Sequence, residues 1–177
     1  MAQQSEIQRF RAEWNVEAAR TITLMESLPP DQYDFRPDPQ GRSIGELSWH
    51  LSEIDACLTF AIEHDRFRLE DQPPSLKRPR ETALLAPGYR RIHEEAVARL
   101  ATLTDADLER QVTYFDGRPL SIREVLWDQL MRHLVHHRGQ LVLLCRMAGG
   151  TPPGLYGPNR EQMRALQANA TSGAGVP

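Results

Sequence analysis

An all-α fold, a four-helix bundle with a long crossover connection, is what this 177-residue sequence predicts, on three observations. Four segments carry apolar residues at helical spacing. Two of them open on a Ser-x-x-Glu capping box. A proline-rich stretch at 70–80 separates the second from the third, and strand-like patterning is almost absent. One domain over residues 1–158 is expected, with residues 159–177 a polar and partly disordered C-terminal tail.

The first helix is read over 5–27, where Ile7, Phe10, Trp14, Ala18 and Ile22 fall three or four apart. Leu24, Met25 and Leu28 extend the stripe, and Pro29-Pro30 ends it. The second begins at the capping box Ser43-Ile44-Gly45-Glu46 and buries Ile44, Leu47, Leu51, Ile54, Leu58 and Ala61 up to about His64. The prolines of the next connection, Pro73, Pro74 and Pro79, suit a crossover laid over the bundle. Tyr89, Ile92, Ala96, Val97 and Leu100 mark a third helix over 81–102. Between 104 and 120, Val112 to Phe115 before Asp116-Gly117 and Pro119-Leu120 after it suggest a short hairpin. The capping box Ser121-Ile122-Arg123-Glu124 opens the longest helix, 121 to about 148, which Gly149-Gly150 and Pro152-Pro153 close. Beyond Pro158 the chain is polar, with helical character around Arg160 to Gln167.

The formal charge is -3, and one lysine, Lys77, stands among 21 basic residues. That balance lacks the basic face with which a nucleic-acid binder neutralises phosphates. The opening Met1-Ala2-Gln3-Gln4-Ser5-Glu6 has neither the basic start nor the apolar core of a secretory signal. No apolar run approaches membrane-spanning length. A cytoplasmic location follows as the expectation, with Cys57 and Cys145 as unpaired thiols in apolar helix faces.

The histidines carry the chemistry. In Met131-Arg132-His133-Leu134-Val135-His136-His137-Arg138-Gly139-Gln140, His133 and His137 are one helical turn apart, about 6 Å along the axis. Two imidazoles so spaced converge on one ion at roughly 2.1 Å each. At about 100° per residue both point within about 50° of the apolar centre set by Leu126, Leu130, Leu134, Leu141, Leu144 and Ala148. His136 falls about 110° away, toward the rim. Buried imidazoles need partners, either hydrogen bonds or a metal. The glutamate of the zinc-protease motif is missing. A third histidine, His50, sits on the edge of the second helix's apolar face, and bundle cores assemble metal sites from facing helices. Three imidazoles leave positions open for a reacting molecule. His64 and His93, among charged neighbours, read as solvated. Glu46 and Glu53 flank His50 by one turn each, as orienting carboxylates or as a solvated face. Arg138 suits an anionic substrate group or a neighbouring carboxylate.

Taken together, Arg36-Pro37, Ser43-Ile44-Gly45-Glu46 leading to His50, His133-x-x-x-His137-Arg138-Gly139-Gln140, and Gly149 with Pro152-Pro153 and Tyr156 resemble the DinB/YfiT-like four-helix-bundle superfamily. These are the damage-inducible DinB proteins, distinct from the DNA polymerase that shares the name. The likeness spans residues 5 to 158. It implies a homodimeric bundle with a long crossover that binds one divalent metal ion, zinc or nickel, through His50, His133 and His137. Members with known activity use low-molecular-weight thiols: bacillithiol S-transferases and the mycothiol-dependent maleylpyruvate isomerase. Others are described as metal-dependent hydrolases. The resemblance therefore implies a metal-dependent S-transferase acting on a small molecule, with a hydrolase or a non-catalytic metal-binding stress protein as alternatives. No nucleic-acid or membrane partner is expected, since the chain lacks a basic face and an apolar run of membrane-spanning length.

Overall fold

The computed structural model of the chain describes residues 4–173, so expectations for the first three residues and for 174–177 lie outside the described residues. Helix α1, Glu6–Glu26, starts one residue after Ser5, whose hydroxyl accepts from the Gln8 N–H while the Gln8 side chain accepts from the Ser5 N–H. Its buried face carries Ile7, Phe10, Trp14, Ala18, Leu24 and Met25. Helix α2, Ile44–Glu63, starts on the expected capping box. The Ser43 N–H donates to Glu46 at 2.9 Å and the Glu46 N–H to the Ser43 hydroxyl at 3.3 Å. Such a cap satisfies two otherwise orphaned donors and stabilises the helix by about 1 kcal/mol.

Gly45 in the first turn of α2 has a packing reason. A Cβ there would lie 2.2 Å from the Tyr33 ring, which covers the glycine. The Tyr33 hydroxyl then donates to the Pro79 carbonyl at 2.6 Å, so one aromatic side chain ties the loop before α2 to the crossover after it. Helix α3, Leu85–Arg99, follows a short 3-10 turn, Thr82–Leu84, and is shorter at both ends than its apolar spacing suggests. Gly88 lets Trp49 of α2 lie flat on α3, since a Cβ would stand 2.8 Å from the indole.

The expected hairpin is present. Strands β1, Gln111–Thr113, and β2, Pro119–Ser121, pair antiparallel with Val112 opposite Leu120. The chain leaving α2 adds a parallel bridge between Arg66 and Thr113, closed by the Phe67 N–H on the Thr113 carbonyl at 2.7 Å. These are the strands among the described residues, and the rest is helix and loop.

Helix α4 is continuous but not uniform. It begins as Ile122–Glu124, capped by Ser121, passes through a π-helical stretch, Val125–Arg132, and resumes as an α-helix over His133–Met147. Round the bundle the neighbours run α1, α3, α2, α4. Helix α2 therefore lies between α3 and α4, which brings the His50 edge of α2 against the histidine turn of α4. Most of the polar tail is a further helix, α5, Arg160–Gly173, held to α4 by Arg146 on Glu161 at 2.6 and 2.8 Å. No helix among the described residues is long and apolar enough to cross a membrane.

Candidate metal centre

The structure brings His50, His133 and His137 together. Nε2 of His133 and Nε2 of His137 are 2.8 Å apart, and the His50 ring centroid lies 5.4 and 4.7 Å from the other two. One ring nitrogen from each histidine lies within 4.8 Å of the others, and all three residues are half-buried. The pair on α4 does not sit at the middle of the buried face. Leu134, Arg138, Leu141 and Cys145 occupy that direction, and the histidines lie at its edge, on the seam with α2. The π-helical stretch ahead of them, with its i→i+5 bonding, breaks the steady rotation assumed from Leu126 and Leu130 to the histidines.

Each ring is oriented by an oxygen. His50 Nδ1 donates to Glu53 at 3.0 Å and His137 Nδ1 to the Gln140 side-chain oxygen at 2.7 Å. The His133 ring donates to the Gln129 carbonyl one turn back. Oxygens that only accept fix a proton on the nitrogen that meets them, leaving the other nitrogen as a lone pair. Nε2 of His133 and Nε2 of His137 face each other at 2.8 Å, close enough to share a proton or, once parted, a cation. The donor set fits a divalent ion: three imidazoles, each with a partner behind it. An ion at roughly 2.1 Å from both nitrogens holds them about 3.4 Å apart, so the rings need to part by about half an ångström.

The setting of the two rings on α4 favours their neutral form. Burial, with the nearby His50, His133 and His136 rings, pulls the pKa of His137 down to about 4 despite the Gln140 bond. Burial and the His50 ring likewise lower His133, with Arg42 adding its field. Neutral imidazole is the form that ligates metal.

With this geometry, a comparison with known proteins is decisive about kinship. A model of the DinB family matches residues 1–171. The chain belongs to the DinB family. YrdA of Bacillus subtilis is 29% identical over 159 residues, which cover 88% of this chain and 91% of YrdA. YjoA of the same organism is 28% identical over 142 residues, 77% of this chain and 86% of YjoA. The crystal structure of a DinB-like protein from Bacillus cereus aligns with a TM-score of 0.70 at 27% identity, covering 86% of this chain and 99% of that one. The crystal structure of YjoA gives 0.66 at 25% identity, with the same two coverages of 86% and 99%.

In this DinB chain the other polar candidates resolve as follows. Arg138 is 1% exposed and faces α1, away from the histidines. It donates to the Glu17 carboxylate, to the Glu17 carbonyl at 2.7 Å and to the Tyr156 hydroxyl, which itself donates to Glu17 at 2.6 Å. Burial pushes the Glu17 carboxyl up, but the bonds from Tyr156 and Arg138 outweigh it and hold the carboxyl below the usual range. Of its two sequence readings, the carboxylate partner is the one realised. Glu46 is committed to its cap and to Arg36 at 3.1 Å.

His93 corrects the sequence reading. It is buried, not solvated, and its ring lies between Asp55 at 2.8 Å and Asn15 at 3.0 Å, with the Trp14 indole also on Asp55 at 3.1 Å. Those partners come from α1 and α2, so neighbours in sequence misrepresent its surroundings. His64 is exposed as expected. His136 is exposed beside His137 and meets the Gln140 amide at 3.2 Å. Both thiols are free, Cys145 buried and Cys57 half-buried. Sequence reasoning passed over Gln129 and Gln140 as orienting groups. The signal for Gln140 was present, three residues after His137 on the same turn.

Proposed function

We propose that this chain is a metal-dependent enzyme acting on a small molecule, with His50, His133 and His137 holding one divalent ion, zinc or nickel. Three ring nitrogens within 4.8 Å of one another, with His50 Nδ1 and His137 Nδ1 hydrogen-bonded to Glu53 and Gln140 behind them, are the observation that carries the reading. An ion held there supplies Lewis acidity, lowering the pKa of a thiol or water ligand toward neutrality.

The chain's own residues do the rest. Glu53, Gln129 and Gln140 fix the tautomers and ring planes, so the ligands meet the ion without reorganisation. Half-burial keeps His137 unprotonated well into the mildly acidic range and lowers His133 in the same direction. Three protein ligands leave room for the reacting molecule. Thiol S-transfer is preferred to hydrolysis on the family resemblance, which also carries the homodimer and the low-molecular-weight thiol.

The test has two stages. Untagged protein should contain stoichiometric zinc or nickel, and His133→Ala should lose it. The metal-replete protein should then conjugate a soft electrophile to bacillithiol, mycothiol or another common thiol. Hydrolysis of activated esters without any conjugation would move the assignment to a hydrolase. Metal retention with neither reaction would make the chain a non-catalytic metal-binding protein.

A further inference from the structure

We propose that the cavity beside the three histidines receives an uncharged aryl or short alkyl group of the substrate. This rests on the reading of those histidines as a metal centre, and extends it to the class of molecule that the centre acts on. The cavity measures about 190 Å³ and has His50 and His133 on its inner side. A void of about 150 Å³ accepts benzene, so a phenyl-sized group fits here with little to spare.

The walls are apolar on both sides. Ile54 and Leu58 come from α2, with the Cys57 thiol between them, which burial keeps protonated by pushing its pKa up to about 11. Phe67, Leu69 and Tyr114 form the outer wall, brought there by the parallel bridge between Arg66 and Thr113. The Phe67 and Tyr114 rings lie 5.2 Å apart. The Tyr114 hydroxyl is already engaged with the Gln129 side chain at 3.1 Å.

Charge selects against ionic groups. Among the described residues no lysine or arginine lines the cavity, and Glu53, its one carboxylate, is bonded to His50. Beyond reach of the ion, an anionic group would meet that carboxylate with no lysine or arginine to offset it. A cation would have to draw Glu53 away from His50. An uncharged group needs neither, and gains from leaving water.

Hydroxamates test this because they reach a divalent ion through the same two oxygens whatever group they carry. With zinc-loaded protein and calorimetry, benzohydroxamate should bind about 10- to 100-fold tighter than acetohydroxamate, the value of burying a phenyl ring. Para-carboxy and para-aminomethyl derivatives should lose that gain. Cys57→Phe, which fills the cavity, should abolish it while leaving acetohydroxamate unaffected. Should that variant misfold, Leu69→Asp at a position 65% exposed should reduce the gain instead. Equal affinity for benzo- and acetohydroxamate, or a charged derivative as the tightest ligand, overturns the cavity assignment and leaves the metal centre standing. Binding of no hydroxamate overturns the metal reading and this proposal with it.

Discussion

Replacing Glu53 probes whether the hydrogen bonds behind the rings are part of the metal centre. Its carboxylate accepts from His50 Nδ1 at 3.0 Å, with the His50 side chain 16% and the Glu53 side chain 38% exposed. A hydrogen bond to a charged group contributes about 1.5–3 kcal/mol net. Water at the partly open Glu53 takes over some of the acceptor role in Glu53→Ala, so the low end applies. About 1.4 kcal/mol is a tenfold loss of metal affinity, at the bottom of the 10- to 100-fold range for such partners. Glu53→Gln keeps a neutral acceptor at about half the strength and should lose about threefold. Chelator competition, with zinc delivered from a buffered indicator, measures both. Circular dichroism should be unchanged, because the removed atoms are not core. If Glu53→Ala binds zinc as tightly as the parent while His133→Ala binds none, the orienting role assigned to Glu53 is wrong.

Other consequences are as direct. Arg138→Met leaves the buried Glu17 carboxylate with Tyr156 and Arg20 alone. It should cost about 3 kcal/mol and lower Tm by roughly 6–12 °C in a thermal melt. Gly45→Ala forces the Tyr33 ring aside and should cost about 1–3 kcal/mol by urea denaturation, with faster proteolysis in the 70–80 crossover. Metal-free protein should lose stability as pH falls from about 6.5 toward 4. His137 is depressed to about 4 from the ordinary imidazole value near 6.5, so the unfolded chain binds the extra proton in that window. After allowing for the ring's solvent exposure the effect is on the order of 1 kcal/mol. Urea midpoints at pH 7 and 5 should show it, and a His133→Gln/His137→Gln double variant should not.

Where the chemistry is local, the sequence was a sufficient guide. Ser43 with Glu46, and Ser121 with Glu124, form their capping boxes, since a cap needs nothing beyond three residues of helix. His133 and His137 stack for the same reason. What could not be read depends on distant chain. The burial of His93 is set by Asp55 and Asn15, 38 and 78 residues away. The cavity's outer wall exists because Arg66 pairs with Thr113. The π-helical stretch Val125–Arg132 is a third case. It carries no local marker, and it shifts the phase of the following residues relative to Leu126 and Leu130, while Arg138 and not the histidines lies on the buried face.

That displacement also explains why an arginine follows the second histidine. Successive residues on a helix point about 100° apart, so while His137 faces the α2 seam, Arg138 faces α1. There it is held by two atoms of Glu17, by Thr21 at 3.2 Å and by Tyr156 from the closing segment. A helix tied this firmly on one side has little freedom to rotate about its axis. Ligands must be held to about 10–20° for a site to work, and a rotation larger than that would swing both imidazoles off the seam together. If the proposed metal reading holds, Arg138 contributes to the centre without approaching it, as the fixed point that sets the angle at which His133 and His137 meet His50. On this account Arg138→Met should weaken zinc binding by a similar factor through either α4 histidine, whereas Gln140→Leu, which removes the support of one ring, should act through His137 alone. Cobalt-substituted protein followed by NMR, with its paramagnetically shifted imidazole protons, separates the two patterns.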